Sequence, residues 1–327
     1  MRLRRVDVNK PGYGRRRRGR GVSFLDTDGR PLRDPDELAR CRDLVIPPAW
    51  RQVWICPHPA GHIQATGVDA AGRKQYLYHP QWRARRDAAK FDHLLEVAHR
   101  LPELRERTGA DLRRRGLDRE RVLATVACLL DLGMFRVGSD QYATGDDPTF
   151  GVATLRPDHV RPGRGCVVFA FPAKGGIEQI RRITDPRLCE VLRRLRRRRC
   201  DAERLFGFWD GRQWRDVRSD DVNDYLREAS GGEMTAKDFR TWHATVLAAV
   251  ELACAPPQRS QTGRRRVVTA AMREVAELLG NTPTVARASY VDPRVVDRYH
   301  EGIVVDADRD TPQEETERAV RELLAED

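Results

Sequence analysis

Short apolar runs separated by turn signals fill the chain from Val22 to His79. Val53-Trp54-Ile55 and Gln75-Tyr76-Leu77-Tyr78 alternate with Asp-Gly, Pro-Pro and Ala-Gly pairs, which is the pattern of short strands. Past Trp82 the apolar spacing becomes helical, as at Phe91, Leu94, Leu95 and Ala98, and most of the remaining sequence keeps it. The change of period places a boundary between residues 80 and 90. At 327 residues the chain is longer than one hydrophobic core usually serves. The expected organisation is α+β: a small strand-rich amino-terminal domain over residues 1–88, a larger, mainly helical domain over residues 89–305, and an acidic tail over residues 306–327 with one weakly amphipathic helix.

Within the second part, Arg121 to Phe135 reads as an apolar helix. Cys166 to Phe171 has strand composition and ends at a turn, Pro172-Ala173-Lys174-Gly175-Gly176, which puts Lys174 at a hairpin tip. Thr235-Ala236-Lys237-Asp238 resembles a capping box and opens a helix running to about Ala253. A polar loop is expected from Ala255 to Arg266, then a helix from Val267 to Leu279 that stops at Gly280. Thr282-Pro283 supplies an N-cap and a first-turn proline for a short helix ending near Tyr290, before Asp292-Pro293.

Charge narrows the class of partner. Lys plus Arg number 60 against 49 Asp plus Glu, a net charge of +11, which favours a polyanion held through phosphate contacts. Of those 60 only five are lysines (Lys10, Lys74, Lys90, Lys174 and Lys237), leaving 55 arginines. Against such a bias, a retained lysine marks a position where a group able to lose its proton serves better than a fixed guanidinium. The first twenty residues are basic and Gly-rich, with Arg15 to Arg18 in a run, and read either as a flexible arm lying on phosphates or as a solvated tail. The seven cysteines form no Cys-x-x-Cys pair, as expected of reduced thiols in a cytosol rather than a disulfide or zinc framework. No apolar run is long enough to span a bilayer. The expected location is cytoplasmic, associated with the nucleoid.

Breaking a phosphodiester without a metal needs a nucleophile, cationic donors for the non-bridging oxygens and an acid for the leaving oxygen. Tyr290 can be the nucleophile, Arg136 and Arg240 the phosphate clamp, Asn281 a further donor and Lys174 the acid. Taken singly, each has a plainer reading: a surface arginine, a turn lysine, a residue capping a helix end, a half-buried ring. On the amino-terminal side, Tyr76 and Tyr78 alternate with Gln75 and Leu77, so both rings face one side, either pressing on DNA while Lys74 meets a phosphate or packing a small core.

The local sequences around these residues decide between the readings. Phe135-Arg136-Val137-Gly138, Phe171-Pro172-Ala173-Lys174-Gly175, Lys237-Asp238-Phe239-Arg240-Thr241 and Gly280-Asn281 through Ser289-Tyr290 resemble, in order, the active-site blocks of type IB DNA topoisomerases, most closely the small poxvirus and bacterial enzymes. Gly72-Arg73-Lys74-Gln75-Tyr76-Leu77-Tyr78 is similar to that family's amino-terminal DNA-contacting segment. The resemblance implies a catalytic domain of the tyrosine recombinase and type IB topoisomerase kind. It also implies relaxation of supercoiled duplex DNA through a 3′-phosphotyrosine on Tyr290, with Arg136, Arg240 and Asn281 on the phosphate and Lys174 as acid. Lys74, Gln75, Tyr76, Tyr78, Tyr142, Thr154 and Lys237 become expected DNA contacts. A monomer clamping the duplex between two domains follows, with no metal and no nucleotide cofactor. Many relatives carry His where this chain has Asn281; Asn can donate a hydrogen bond but does not titrate near neutrality.

Two other readings remain open at this stage. A tyrosine recombinase shares the chemistry but usually has His three residues before the second Arg, where this chain has Lys237, and a helical amino-terminal domain. A basic DNA-coating protein would need none of the chemistry.

Overall fold

The computed structural model describes residues 2–19, 21–133, 135–198 and 202–325. Met1 and Arg20 of the basic first twenty residues, Met134 of the helix expected over Arg121 to Phe135, Cys200 among the seven cysteines, and Glu326 and Asp327 of the acidic tail lie outside the described residues. The chain divides into two compact units, Met1–Asp92 and His93–Asp327.

The first unit is an antiparallel sheet with one helix. Its elements are β1 (Tyr13–Arg18), β2 (Gly21–Leu25), α1 (Pro35–Asp43), β3 (Arg51–Ile55), β4 (Ile63–Val68) and β5 (Lys74–Tyr78), in spatial order β2-β1-β3-β4-β5. Phe24, Cys41, Ile46, Ile55 and Ala65 form its core. The basic arginine run is not a free arm: Arg15, Arg16, Arg17 and Arg18 pair with Phe24, Ser23, Val22 and Gly21 of β2, respectively. Arg15 stands opposite the buried Phe24 and donates to the carbonyls of Ile46 (2.8 Å), Pro47 (3.0 Å) and Trp50 (2.8 Å). Long side chains whose heads find backbone acceptors can line a strand that composition alone marks as disordered. The expectation of a flexible or solvated arm is therefore corrected. Asp34 caps α1 by accepting from the backbone N–H groups of Asp36 and Glu37.

α2 (Pro80–Leu112) begins in the first unit and continues into the second. There follow α3 (Arg119–Gly133), three single 3₁₀ turns, the sheet β6 (Val160–Gly163), β7 (Cys166–Pro172) and β8 (Glu178–Ile183), then α4 (Pro186–Arg196). A small hairpin, β9 (Gly207–Trp209) and β10 (Trp214–Asp216), precedes the helices α5 (Ser219–Ser230), α6 (Ala236–Ala253), α7 (Gln261–Leu279), α8 (Pro283–Ser289), α9 (Pro293–Glu301) and α10 (Gln313–Ala325). α6 is the axis of this unit. Phe239, Trp242, Ala244 and Ala248 are all buried on it, and truncating a fully buried Trp such as Trp242 costs about 3–5 kcal/mol.

The predicted helices and the β7 strand appear close to the expected bounds, with one correction. α7 starts at Gln261, inside the stretch read as a polar loop. Ser260 Oγ accepts from the Gly263 N–H at 3.0 Å, capping the helix and so ending the loop early. Arg264 adds bonds to the carbonyls of Gln258 and His300, which composition does not reveal. The acidic segment carries α10, whose Val320 and Leu324 are buried. Among the described residues no helix is long and apolar enough to cross a membrane, and the described cysteines are unpaired thiols.

Candidate active site

Arg136 leaves the end of α3 next to Phe135, whose ring meets Phe169 edge-on (centroids 5.2 Å apart) and stacks on Phe171 (5.8 Å). Both partners lie on β7, three residues before whose hairpin tip the Phe171 ring sits. This aromatic cluster joins two blocks that lie far apart in sequence. The backbone beyond is fixed as well: Arg136 O and Val137 O accept from Val152 N and Ala153 N, each at 2.8 Å. Gly138, at φ +83°, rests against Gly151; a side chain there would stand 2.9 Å from the Gly151 backbone, which explains the glycine of that block.

Lys174 is exposed in a turn closed by Gly176 N–H donating to Ala173 O at 2.9 Å. It lines one small pocket with Arg136, Gln179, Arg181 and Arg240. Among the described residues no acidic side chain lines this pocket. Arg240, one helical turn past the exposed Lys237, is buried on α6. The carboxylate of Asp238 beside it accepts from the Thr235 N–H and hydroxyl, each at 2.8 Å, and so opens the helix as read from the sequence.

What gathers the cations is the carboxyl end of α7. The last carbonyls of a helix have no intrahelical donor and carry its partial negative charge. Leu279 O accepts from Arg240 Nη2 at 2.8 Å and from Arg136 Nη2 at 3.3 Å, while Leu278 O accepts from Arg181 Nη2 at 3.3 Å. The helix then stops at Gly280, in the left-handed region at φ +60°, which turns Asn281 back to the site. Asn281 Oδ1 accepts from Arg136 Nη2 at 3.1 Å. Its Nδ2 is buried and meets no acceptor among the described residues.

Tyr290 follows α8 and is half-buried. Its ring centroid lies 5.6 Å from the Arg240 guanidinium carbon. Thr245, on the same helix as Arg240, holds this part of the chain: its Oγ1 is 3.2 Å from Tyr290 O and accepts from Asp292 N–H at 3.1 Å. Burial pushes the phenol pKa up, but the charges of Arg240, Arg136 and Lys237 outweigh it and leave the group below the ordinary tyrosine value. Burial, then the like charge of Arg136, hold Arg240 down at about 10. A group of cations under this mutual strain is stabilised by an anion placed among them.

Of the expected DNA contacts, Lys74, Tyr76 and Tyr78 share the exposed face of β5; the two rings stack with centroids 6.1 Å apart, and Lys74 Nζ lies 5.7 Å from the Tyr76 centroid. Neither ring packs a core. Gln75 points the other way and donates to Asp69 Oδ2 at 2.9 Å. Tyr142 is exposed. Thr154 is not at the surface: it is 3% exposed, and its hydroxyl closes on Gly151, accepting from its N–H and donating to its carbonyl. That side chain shapes the loop under Gly138. Sequence reasoning missed Arg181 and Thr245. Arg181 had one weak signal, the alternation of Glu178 to Ile183 on the strand returning from Lys174; among 55 arginines it does not stand out.

Residues 79–314 match the family model of the eukaryotic DNA topoisomerase I catalytic core, and residues 21–69 match that of the bacterial DNA topoisomerase IB N-terminal domain. The chain is also 28% identical over 271 residues to DNA topoisomerase 1B of Acanthamoeba polyphaga mimivirus, an alignment covering 80% of each chain. With the first model spanning most of the molecule and the ordered blocks folding onto one cationic pocket, this chain belongs to the type IB DNA topoisomerases.

Proposed function

We infer that this topoisomerase relaxes duplex DNA by transferring one strand to Tyr290 and back. The phenol gives up its proton to solvent and its oxygen attacks the scissile phosphorus, forming a 3′-phosphotyrosyl bond as the bond to the 5′ oxygen breaks. Lys174 gives its proton to that leaving oxygen, and the free 5′ hydroxyl later attacks to reverse the step. Arg136, Arg240 and Asn281 bind the non-bridging oxygens as charge builds on them. Forming a free phenolate at pH 7 costs about 4 kcal/mol, which the surrounding cations reduce. One phosphodiester replaces another of similar energy, so no nucleotide is consumed.

The observation that carries this reading is the convergence of Arg136 and Arg240 on Leu279 O, with Tyr290 beside Arg240. The unpaired Asn281 Nδ2 supports it, because an unmet buried donor costs about 1–3 kcal/mol that a phosphate oxygen relieves. Lys74, Tyr76 and Tyr78 on β5, with Tyr142 and Lys237, contact the duplex. The enzyme works as a monomer in a bacterial cytoplasm, on nucleoid DNA.

Relaxation of supercoiled plasmid in EDTA without ATP tests the reading. The wild-type chain is expected to relax the plasmid through a ladder of topoisomers, and Tyr290→Phe to bind it with unchanged affinity and leave it supercoiled. Relaxation by Tyr290→Phe would falsify the assignment of the nucleophile. A chain that strand-exchanges without relaxing would point to a recombinase, and one that only binds would point to a coating protein.

A further inference from the structure

A second, largely buried charged cluster in the helical unit takes no part in the chemistry above; Glu317 and His243 are buried, Arg105 and Asp131 partly so. Arg105 of α2 donates from Nε and Nη2 to Asp131 (2.7 and 3.0 Å) and from Nη1 and Nη2 to Glu317 of α10 (2.8 Å each). Asp131 Oδ1 also lies 3.0 Å from His243 Nε2, and Gln313 Nε2 donates to Glu317 Oε1 at 2.9 Å. The Glu317 side chain is 2% exposed. A double fork of this kind is geometrically specific, yet buried ion pairs often contribute less stability than apolar replacements of the same volume. α10 already buries Val320, Leu323 and Leu324, so packing does not require a carboxylate there.

The ends of the cluster say what it does. Asp131 lies in the last turn of α3, five residues before Arg136, and His243 lies on α6, one turn past Arg240. Arg136 and Arg240 bring like charges onto one carbonyl, and their repulsion acts to drive the end of α3 away from α6. The Asp131–His243 contact ties those same two elements together, and Arg105 held by Glu317 fixes Asp131 in place.

We propose that Glu317 is a positioning residue, which through Arg105 and Asp131 sets the spacing of Arg136 and Arg240 around the scissile phosphate. This rests on the reading that those two arginines hold the phosphate. The acidic carboxy-terminal segment thereby belongs to the strand-transfer machinery.

The test is single-turnover cleavage of a duplex by the full-length chain at 25 °C, with duplex affinity and melting temperature measured alongside. Glu317→Ala is expected to cleave about tenfold slower, and Glu317→Gln, which keeps an acceptor for Arg105, about threefold slower, both with affinity within about twofold of wild type. Leu323→Ala removes buried packing from the same helix and leaves the charges; it is expected to melt at a lower temperature and to cleave within about twofold of the wild-type rate. Wild-type cleavage by the Glu317 variants overturns the proposal, and so does equal slowing by Leu323→Ala. If Glu317→Ala yields no folded protein, the rate of Glu317→Gln decides. Arg136→Ala and Arg240→Ala run in parallel: if these cleave normally the phosphate reading itself fails, and if they are inactive while the Glu317 variants are normal, only the positioning role fails.

Discussion

Lys174 illustrates how much one side chain can be asked to do. With five lysines among 60 basic residues, its retention at a hairpin tip was visible in the sequence, and its place in the pocket with Arg136 and Arg240 fits an acid. An ammonium can release a proton to a leaving oxygen, whereas a guanidinium holds its own too tightly. Lys174→Ala is therefore expected to cleave an ordinary duplex about 10²–10⁴-fold slower, the usual worth of general acid catalysis. On a substrate with sulfur at the 5′ bridging position, which leaves without a proton, most of that deficit should vanish. Equal slowing on both substrates would remove Lys174 from the acid role. Asn281 is legible as a donor but not as an acid, and the free Nδ2 beside an occupied Oδ1 agrees with that division. Arg181 and Thr245 were not legible: one is hidden by the abundance of arginine, and the other acts through backbone contacts that no pattern announces.

At the scale of elements, α3, β7, α6, α8 and the end of α7 were located well because each carries its own signal: apolar runs at α3 and β7, a capping box at Thr235, an N-cap at Thr282, a stop at Gly280. The failures have a common cause. β1 and the start of α7 are stabilised by arginine heads reaching distant carbonyls, so their sequences look like coil. The same kind of long-range charge contact joins α2, α3, α6 and α10, and it has a pH signature. Burial pushes the Asp131 carboxyl up, but hydrogen bonds from His243 and Arg105 outweigh it and hold it at about 2. Because the folded value is below the unfolded one, its stabilising contribution is complete above about pH 4 and disappears as pH falls toward 2. Between those limits the wild-type chain is expected to lose about 2 kcal/mol more unfolding free energy than Asp131→Asn, as read from denaturant titrations at each pH. Parallel acid limbs for the two proteins would show that Asp131 is not held this way.

For the whole molecule, the order of the sequence blocks carried the family and the two-part α+β architecture, because each block pairs a proposed site residue with a neighbour that shapes its backbone: Phe135 with Arg136, Phe171 with Lys174, Gly280 with Asn281. What the order could not convey is that three arginines meet at one helix end, since that depends on where α7 terminates relative to α6 and β8. Nor did it reveal that the acidic segment supplies a buried carboxylate to the interior. The central claim is that a phenol oxygen, brought among these cations, carries the cut strand. Trapping the enzyme on a duplex with a cleavable site, digesting it and sequencing the DNA-linked peptide by mass spectrometry tests this most directly. The peptide is expected to contain Val285 to Asp292, with the nucleotide 3′-phosphate on Tyr290; a nucleotide on any other residue, or relaxation without a covalent adduct, would contradict the account.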